Sequence, residues 1–230
     1  MLFGASNFEF LCRLCVLRGP CGEILMVIKD KGLLFVVSGA SGTGKTTLCR
    51  AMLKIYPDLR FSVSHTTRPR RPGDENGRDY YFVSSEEFQR MIDQGDFAEW
   101  AEIYGHRYGT SKRMLEKTRA EGQDLILDID GQGARQLRQQ RLPGTFIFIL
   151  PPSFAELRRR LMKRKTEAKE ALEERLKKAR DEIVEARWYD YLIINDELKK
   201  AQEQLQAIIL TEHCRRERME EVLEKLEIEK

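Results

Sequence analysis

Apolar residues along this chain fall into two kinds of run. Leu33–Ser38, Leu125–Ile129 and Thr145–Leu150 are short and unbroken. They lack the alternation that one wetted face would impose, so they read as strands buried on both faces of a parallel sheet. Between them, amphipathic helices are predicted. One runs from about Lys45 to Tyr56 and is stopped by Pro57; Ser84-x-x-Glu87 is a capping box opening a second, through about Gln94. A third runs from Ser111 to Gly122, and a fourth lies between the strands at Leu125–Ile129 and Thr145–Leu150. Ser153-x-x-Glu156 caps a strongly basic helix, a charged helical stretch continues to about Tyr189, and a long helix closes the chain after a last strand at Tyr191–Asn195. Leu59–Val63 and Tyr80–Val83 read as shorter strands, and Phe97–Tyr104 with Arg107–Tyr108 as a hairpin turning at Gly105-His106. Strands alternating with helices predict an α/β fold, a parallel sheet with helices on both faces. The antiparallel-looking stretch from about Ser64 to Thr110 interrupts that alternation and reads as a small inserted domain.

Composition narrows this picture only modestly. A chain of 230 residues, 41% hydrophobic and 33% charged, can bury a sizeable core and is neither disordered nor collagen-like. No apolar run approaches the roughly 18–20 residues of a membrane span. Forty Lys and Arg against 37 Asp and Glu give a net charge of +3, too even for a nucleic-acid footprint unless concentrated on one face. Neither nucleic acid nor membrane is therefore an expected partner. Five cysteines include Cys12-x-x-Cys15, but no second ligand pair follows, so reduced cysteines in the cytoplasm are expected rather than a zinc site. His65, His106 and His213 have no metal-ligand spacing and read as turn or surface residues. Residues 1–25 do not share the pattern of the rest and are expected to be dispensable, with Met26 a second plausible start.

The sharpest chemical signal is Gly39-Ala40-Ser41-Gly42-Thr43-Gly44-Lys45-Thr46, which fits G-x-x-x-x-G-K-[ST] between a buried strand and a helix. Glycines let successive backbone N–H groups converge on phosphate oxygens, and the helix N-terminus adds positive potential. Lys45 would reach the β- and γ-phosphates of a nucleoside triphosphate, and the Thr46 hydroxyl would ligate Mg²⁺.

Other candidates are open to two readings. Arg68 and Arg71, in a Pro-rich loop with Tyr80 and Tyr108 in reach, suit either a bidentate dianion site or a solvated basic turn. Asp128 and Asp130 end an apolar strand, where a carboxylate can approach Mg²⁺ through water or simply cap a helix. Glu99 lies in a half-buried strand and by itself could be a salt-bridged surface residue. In the basic helix, Phe154, Leu157 and Leu161 form an apolar stripe. Arg160 and Arg164 border that stripe and should face a cleft, whereas Arg158, Arg159 and Lys163 should face water.

Taken together, Gly39–Thr46, Ser62–Gly73, Asn76–Phe82, Phe97-Ala-Glu99-Trp100, Tyr108-Gly109-Thr110, Leu127-Asp128-Ile-Asp130 with Gln132-Gly133, Ile149–Ser153, Arg160, Arg164, Arg175 and Ile194-Asn195-Asp196 resemble the guanylate kinase family, over about Leu33 to Ile209. The resemblance implies a P-loop NTPase fold with a small mixed α/β GMP-binding insert (64–110) and a helical lid (153–187) on a core of 26–63, 111–152 and 188–230. It implies transfer of the γ-phosphoryl of ATP to GMP with Mg²⁺. It assigns Arg68, Arg71, Tyr80 and Tyr108 to the GMP phosphate, and Ser64, Glu99 and Thr110, with Asp130, to the guanine base. Arg160, Arg164 and Arg175 would meet the ATP and the transferring phosphoryl. Gly131, Lys165 and Thr46 depart from the family's usual residues without removing a chemical group. A same-fold sugar-phosphate kinase would not need Ser64, Glu99 and Thr110 together, and a guanylate-kinase-like interaction module could dispense with the intact loop and lid arginines.

Overall fold

The computed structural model describes residues 14–18, 24–28, 32–162 and 169–218. Its centre is a parallel sheet of five strands, β3 (Leu34–Ser38), β4 (Leu59–Phe61), β9 (Asp124–Asp128), β10 (Thr145–Leu150) and β11 (Tyr191–Ile194), in the order β11-β10-β3-β9-β4. Pleating sends successive side chains to opposite faces. Phe35, Val37, Ile147 and Ile149 face α1 (Lys45–Ile55) and α7 (Leu198–His213), where Leu48, Met52, Leu205 and Ile209 close one core. Leu34, Val36, Leu125, Leu127, Phe146 and Phe148 face α3 (Lys112–Ala120) and α4 (Gly131–Gln139), where Leu115, Ala134 and Leu137 close the other. Unbroken apolar strands are the consequence of this two-sided burial. The expected sheet with helices on both faces is present.

A second, mixed sheet has the order β6-β5-β8-β7, built from β5 (His65–Thr66), β6 (Tyr81–Phe82), β7 (Phe97–Ile103) and β8 (His106–Ser111). Helix α2 (Ser85–Asp93) starts where Ser84 Oγ accepts from the Glu87 N–H at 3.1 Å and packs Phe88 on Phe97, ring centroids 4.5 Å apart. The hairpin turn lies one residue earlier than expected. Tyr104 (φ 51°) and Gly105 (φ 74°) form it, and His106 already pairs with Ile103. Both central residues have positive φ, the mirror-image turn that matches strand twist.

Two helices cover the phosphate loop, α5 (Phe154–Met162) and α6 (Lys169–Val184), whose Leu157, Leu161, Leu176 and Ala179 pack on Ala40. A 3₁₀ turn at Glu185–Trp188 leads into β11. His213, expected in a turn or at the surface, is instead 5% exposed. Its Nε2 lies 2.7 Å from Asp124 Oδ2, clamping α7 to β9. Near the start of the chain, β1 (Leu14–Arg18) pairs antiparallel with β2 (Ile24–Ile28), so the boundary expected at residue 25 falls inside a strand. Cys12 and Cys21, and the chain beyond residue 218, lie outside the described residues. Among the described residues no helix is long and apolar enough to cross a membrane.

Candidate active site

Residues 39–46 connect β3 to α1 at the carboxyl edge of the parallel sheet, the usual position for ligands in open α/β sheets. Gly39 has φ 146°, and a Cβ there would sit 2.4 Å from the Ile149 carbonyl oxygen, so only glycine lets the loop leave β3 beside β10. Gly44 is left-handed (φ 91°) and supplies no side-chain cap, and α1 has no acidic residue in its first turn. Its first N–H groups therefore point into an uncapped, electropositive mouth suited to phosphate. Lys45 Nζ folds back to donate to the Gly39 carbonyl and, at 3.3 Å, to the Ala40 carbonyl. The loop is braced from across the sheet: Asn195, 5% exposed at the end of β11, donates through Nδ2 to the Thr43 carbonyl at 2.7 Å. Its sequence neighbours give Asn195 no role, since its partner lies 152 residues away.

The Thr46 hydroxyl donates to Asp128 Oδ2 at the end of β9. A hydroxyl and a carboxylate, both hard oxygen donors, side by side at a phosphate-binding mouth are the donor set that Mg²⁺ takes when phosphates and water complete its shell. Among the described residues no cluster of three or more His, Cys, Asp or Glu side chains could form a dedicated metal cage.

Tyr108 of β8, with Arg68 and Tyr80 from the segments flanking β5 and β6, lies near this mouth, Tyr80 close enough to Asp128 to feel its charge. Arg68 is 8% exposed, with its guanidinium 5.3 Å from the Tyr80 ring centre, and the Tyr80 and Tyr108 rings meet edge-on at 5.8 Å. Asp74 aims the arginine, Oδ2 accepting from Arg68 Nη2 at 2.9 Å and from the Arg71 backbone N–H at 2.8 Å. These donors hold the Asp74 carboxyl below its ordinary range. The Arg71 side chain itself is exposed, and Ser64 is half-buried with its carbonyl accepting from the Tyr81 N–H at 2.9 Å. Burial pushes the Tyr80 phenol up to about 12, with the nearby Asp128 charge adding to the rise. Asp79, just before Tyr80 in sequence, accepts from the Glu75 N–H and from Arg50 of α1, which hold its carboxyl at about 2. Neither Asp74 nor Asp79 carries a sequence signature: Asp74 accepts from Arg68 and Arg71 in its own loop, whereas Asp79 joins its turn to Arg50 of α1.

Glu99 is not at the surface. It is 4% exposed, opposite Thr110 across β7 and β8, and the Thr110 hydroxyl donates to its Oε1. Burial raises its carboxyl to about 7, against the pull of the Thr110 hydrogen bond, and the Asp130 charge raises it further. The first turn of α4 lies against it: a Cβ at Gly133 would fall 2.2 Å from Glu99 Oε2. Asp130 is the N-cap of α4, Oδ1 accepting from the Gly133 N–H at 2.9 Å. The helix-cap reading of Asp130 is therefore realised, close enough to Glu99 for their charges to interact.

On α5, Arg160 is half-buried and donates to Glu156 Oε1 at 2.8 Å and to the Asn195 carbonyl at 3.0 Å. Arg158 and Arg159 are exposed and paired with Glu173 and Glu156. Arg164, Lys163 and Lys165 lie outside the described residues. Arg175 of α6 sits over the Tyr104 ring at 4.8 Å. Also on α6, Glu182 is half-buried; burial raises its carboxyl while the Lys45 and Lys178 charges lower it, so this face of α6 looks toward the phosphate loop.

Comparison with known proteins agrees with this geometry. A family model described as guanylate kinase matches residues 31–212. A guanylate kinase of Geobacter sulfurreducens is 55% identical over 192 residues, 84% of this chain and 95% of that protein. One from Syntrophotalea carbinolica is 53% identical over 84% of this chain and 91% of its own length. The crystal structure of guanylate kinase from Anaplasma phagocytophilum superposes with a TM-score of 0.71 at 35% identity, covering 85% of this chain and 95% of that one.

Proposed function

The chain belongs to the guanylate kinase family, a nucleoside monophosphate kinase that moves the γ-phosphoryl of ATP to GMP and gives ADP and GDP, and we propose how its residues divide that work. Residues 64–110 form the GMP-binding insert and 153–187 the lid, on a P-loop core that begins with the strand leading into the phosphate loop, and the β1–β2 hairpin lies outside the reaction. Backbone N–H groups of Gly39–Thr46 hold the donor phosphates, and Lys45 neutralises the β- and γ-oxygens. Arg68, Arg71, Tyr80 and Tyr108 hold the phosphate of GMP; Ser64, Glu99 and Thr110, with Asp130 behind Glu99, read its base. An oxygen of that phosphate attacks the γ-phosphorus in line, and the bond to the bridging oxygen breaks as ADP leaves with its electron pair. The acceptor is already an anion, so no general base is required. Positioning and charge neutralisation carry the rate, the latter from Lys45, Arg68, Arg160 and Arg164, and Arg175, seated on the Tyr104 ring in this structure, would join them when the lid closes over the phosphates. Mg²⁺, held by Thr46 and through water by Asp128, would supply further neutralisation of the phosphate oxygens. The cytoplasm is the compartment we propose.

The observation that supports this reading most is the buried Glu99–Thr110 pair, with the Asp130 N-cap close enough for its charge to act on Glu99. A buried carboxylate can accept from both the N1–H and the N2 amino group of guanine, whereas adenine presents an acceptor there. A coupled ADP-release assay across GMP, dGMP, AMP and ribose phosphates tests it: turnover should be confined to the guanine nucleotides. Equal turnover of a sugar phosphate would overturn the substrate assignment.

A further inference from the structure

The tip of the β7–β8 hairpin carries a residue that its turn disfavours. Two-residue turns with positive φ at both positions prefer Asn-Gly, because a Cβ at the first position crowds the backbone. Here the first position is Tyr104, at φ 51° and 44% exposed. Its ring is covered from another part of the chain: the Arg175 guanidinium lies 4.8 Å and the Lys178 ammonium 5.3 Å from its centre. Arg175 and Lys178 are three residues apart on α6 and so share one face of that helix. Two cations on one ring form a contact with a specific geometry rather than general adhesion.

The same hairpin carries Glu99 and Thr110 near its other end, and paired strands connect them to Tyr104 through Ala101↔Tyr108 and Ile103↔His106. Helix α6 in turn packs Leu176 and Ala179 on Ala40 of the phosphate loop. One continuous body thus runs from the base-reading pair, along the hairpin, to the helix over the phosphates.

We propose that Tyr104 is a positioning residue that couples the hairpin to α6, seating Arg175 and Lys178 on its ring so that the lid helix is placed over the phosphates in register with the bound base. The proposal rests on the functional reading above. It explains why an aromatic residue occupies a turn position that Asn would fill with less strain.

Tyr104→Asn separates the coupling role from a structural one, since it restores the favoured turn while removing the ring. Its melting temperature should equal or exceed that of the parent. KM for GMP and for ATP should change less than about twofold, while kcat falls about 5–10-fold, the scale of losing two exposed cation–ring contacts. Tyr104→Phe keeps the ring and should retain parental kcat. Lys178→Met should lower kcat by a smaller factor, and that factor should vanish in the Tyr104→Asn background. Parental kcat in Tyr104→Asn, equal losses in the Asn and Phe variants, or full additivity with Lys178→Met would each overturn the coupling. A parent enzyme inactive toward GMP would instead overturn the functional reading itself.

Discussion

Gly133 leaves no room for any side chain beside Glu99: a Cβ on it would lie 2.2 Å from Oε2 of the buried carboxylate. Nothing about its backbone demands glycine, since it is the third residue of an ordinary helix capped by Asp130. The demand comes from the carboxylate, which fills the space a methyl group would take. Gly133→Ala should therefore act on the base site although it strengthens the helix by about 0.5–1 kcal/mol in intrinsic propensity. Displacing the carboxylate loses a hydrogen bond to a charged group, about 1.5–3 kcal/mol, so kcat/KM for GMP should fall about 10–100-fold. KM for ATP should stay within about twofold. Steady-state kinetics with each substrate varied in turn would check both.

The raised carboxyl of Glu99 has a pH signature whose sign follows from linkage. Its folded value of about 7 lies above the ordinary 4.5, so burial favours the neutral form. The stability this supplies is fully present below about pH 4.5 and is lost as pH rises through about 7. Glu99→Gln carries no charge to bury, so its unfolding free energy relative to the parent should improve by about 2–3 kcal/mol between pH 5 and pH 8. Denaturant unfolding of both proteins at several pH values measures this. GMP binding should show the opposite preference, because guanine donors need the ionised carboxylate. Affinity should rise with pH up to about 7 and lose that component in Glu99→Gln, leaving only the titration of the ligand's own phosphate.

Two neighbouring arginines on α5 should behave differently. Arg160 donates to the carbonyls of Asn195 at 3.0 Å and Asp196 at 3.5 Å, beside the loop that Asn195 braces. Arg159 is exposed and, among the described residues, bonds Glu156 in its own helix. Arg160→Ala should lower kcat about 100-fold, the scale of losing a positioned donor to transition-state charge. Arg159→Ala should remain within about twofold of the parent, an exposed ion pair of this kind contributing little. A comparison of kcat for the two variants decides the matter.

The phosphate loop was legible because its chemistry is contiguous: eight residues at fixed spacing, after a strand whose unbroken apolar run betrays burial on both sides. The features that escaped depend on partners far away in the chain. His213 sits among charged residues near the end of α7, and its burial follows from Asp124, 89 residues earlier. Glu99 is assigned to the base through the family resemblance, its own strand leaving a surface reading open; its enclosure comes from Thr110 and Gly133, 11 and 34 residues further on. The hairpin turns one residue before Gly105-His106 because Tyr104 takes the first left-handed position, where Asn usually marks such a turn. Asn195 gave no local sign of holding the Thr43 carbonyl, since strand-end asparagines commonly serve turns.

Base selectivity through Glu99 is the centre of the functional reading, and kcat/KM for GMP and AMP on the parent and on Glu99→Gln measures it most directly. A site built to accept guanine's two donors leaves a buried carboxylate unpaired when adenine enters, which corresponds to a preference of about 10³-fold or more. The parent should show that preference for GMP. Glu99→Gln should lose about 10–100-fold in kcat/KM for GMP with KM for ATP nearly unchanged. A parent that uses AMP within about tenfold of GMP, or a Glu99→Gln variant indistinguishable from it, would contradict the assignment of Glu99 to the guanine base.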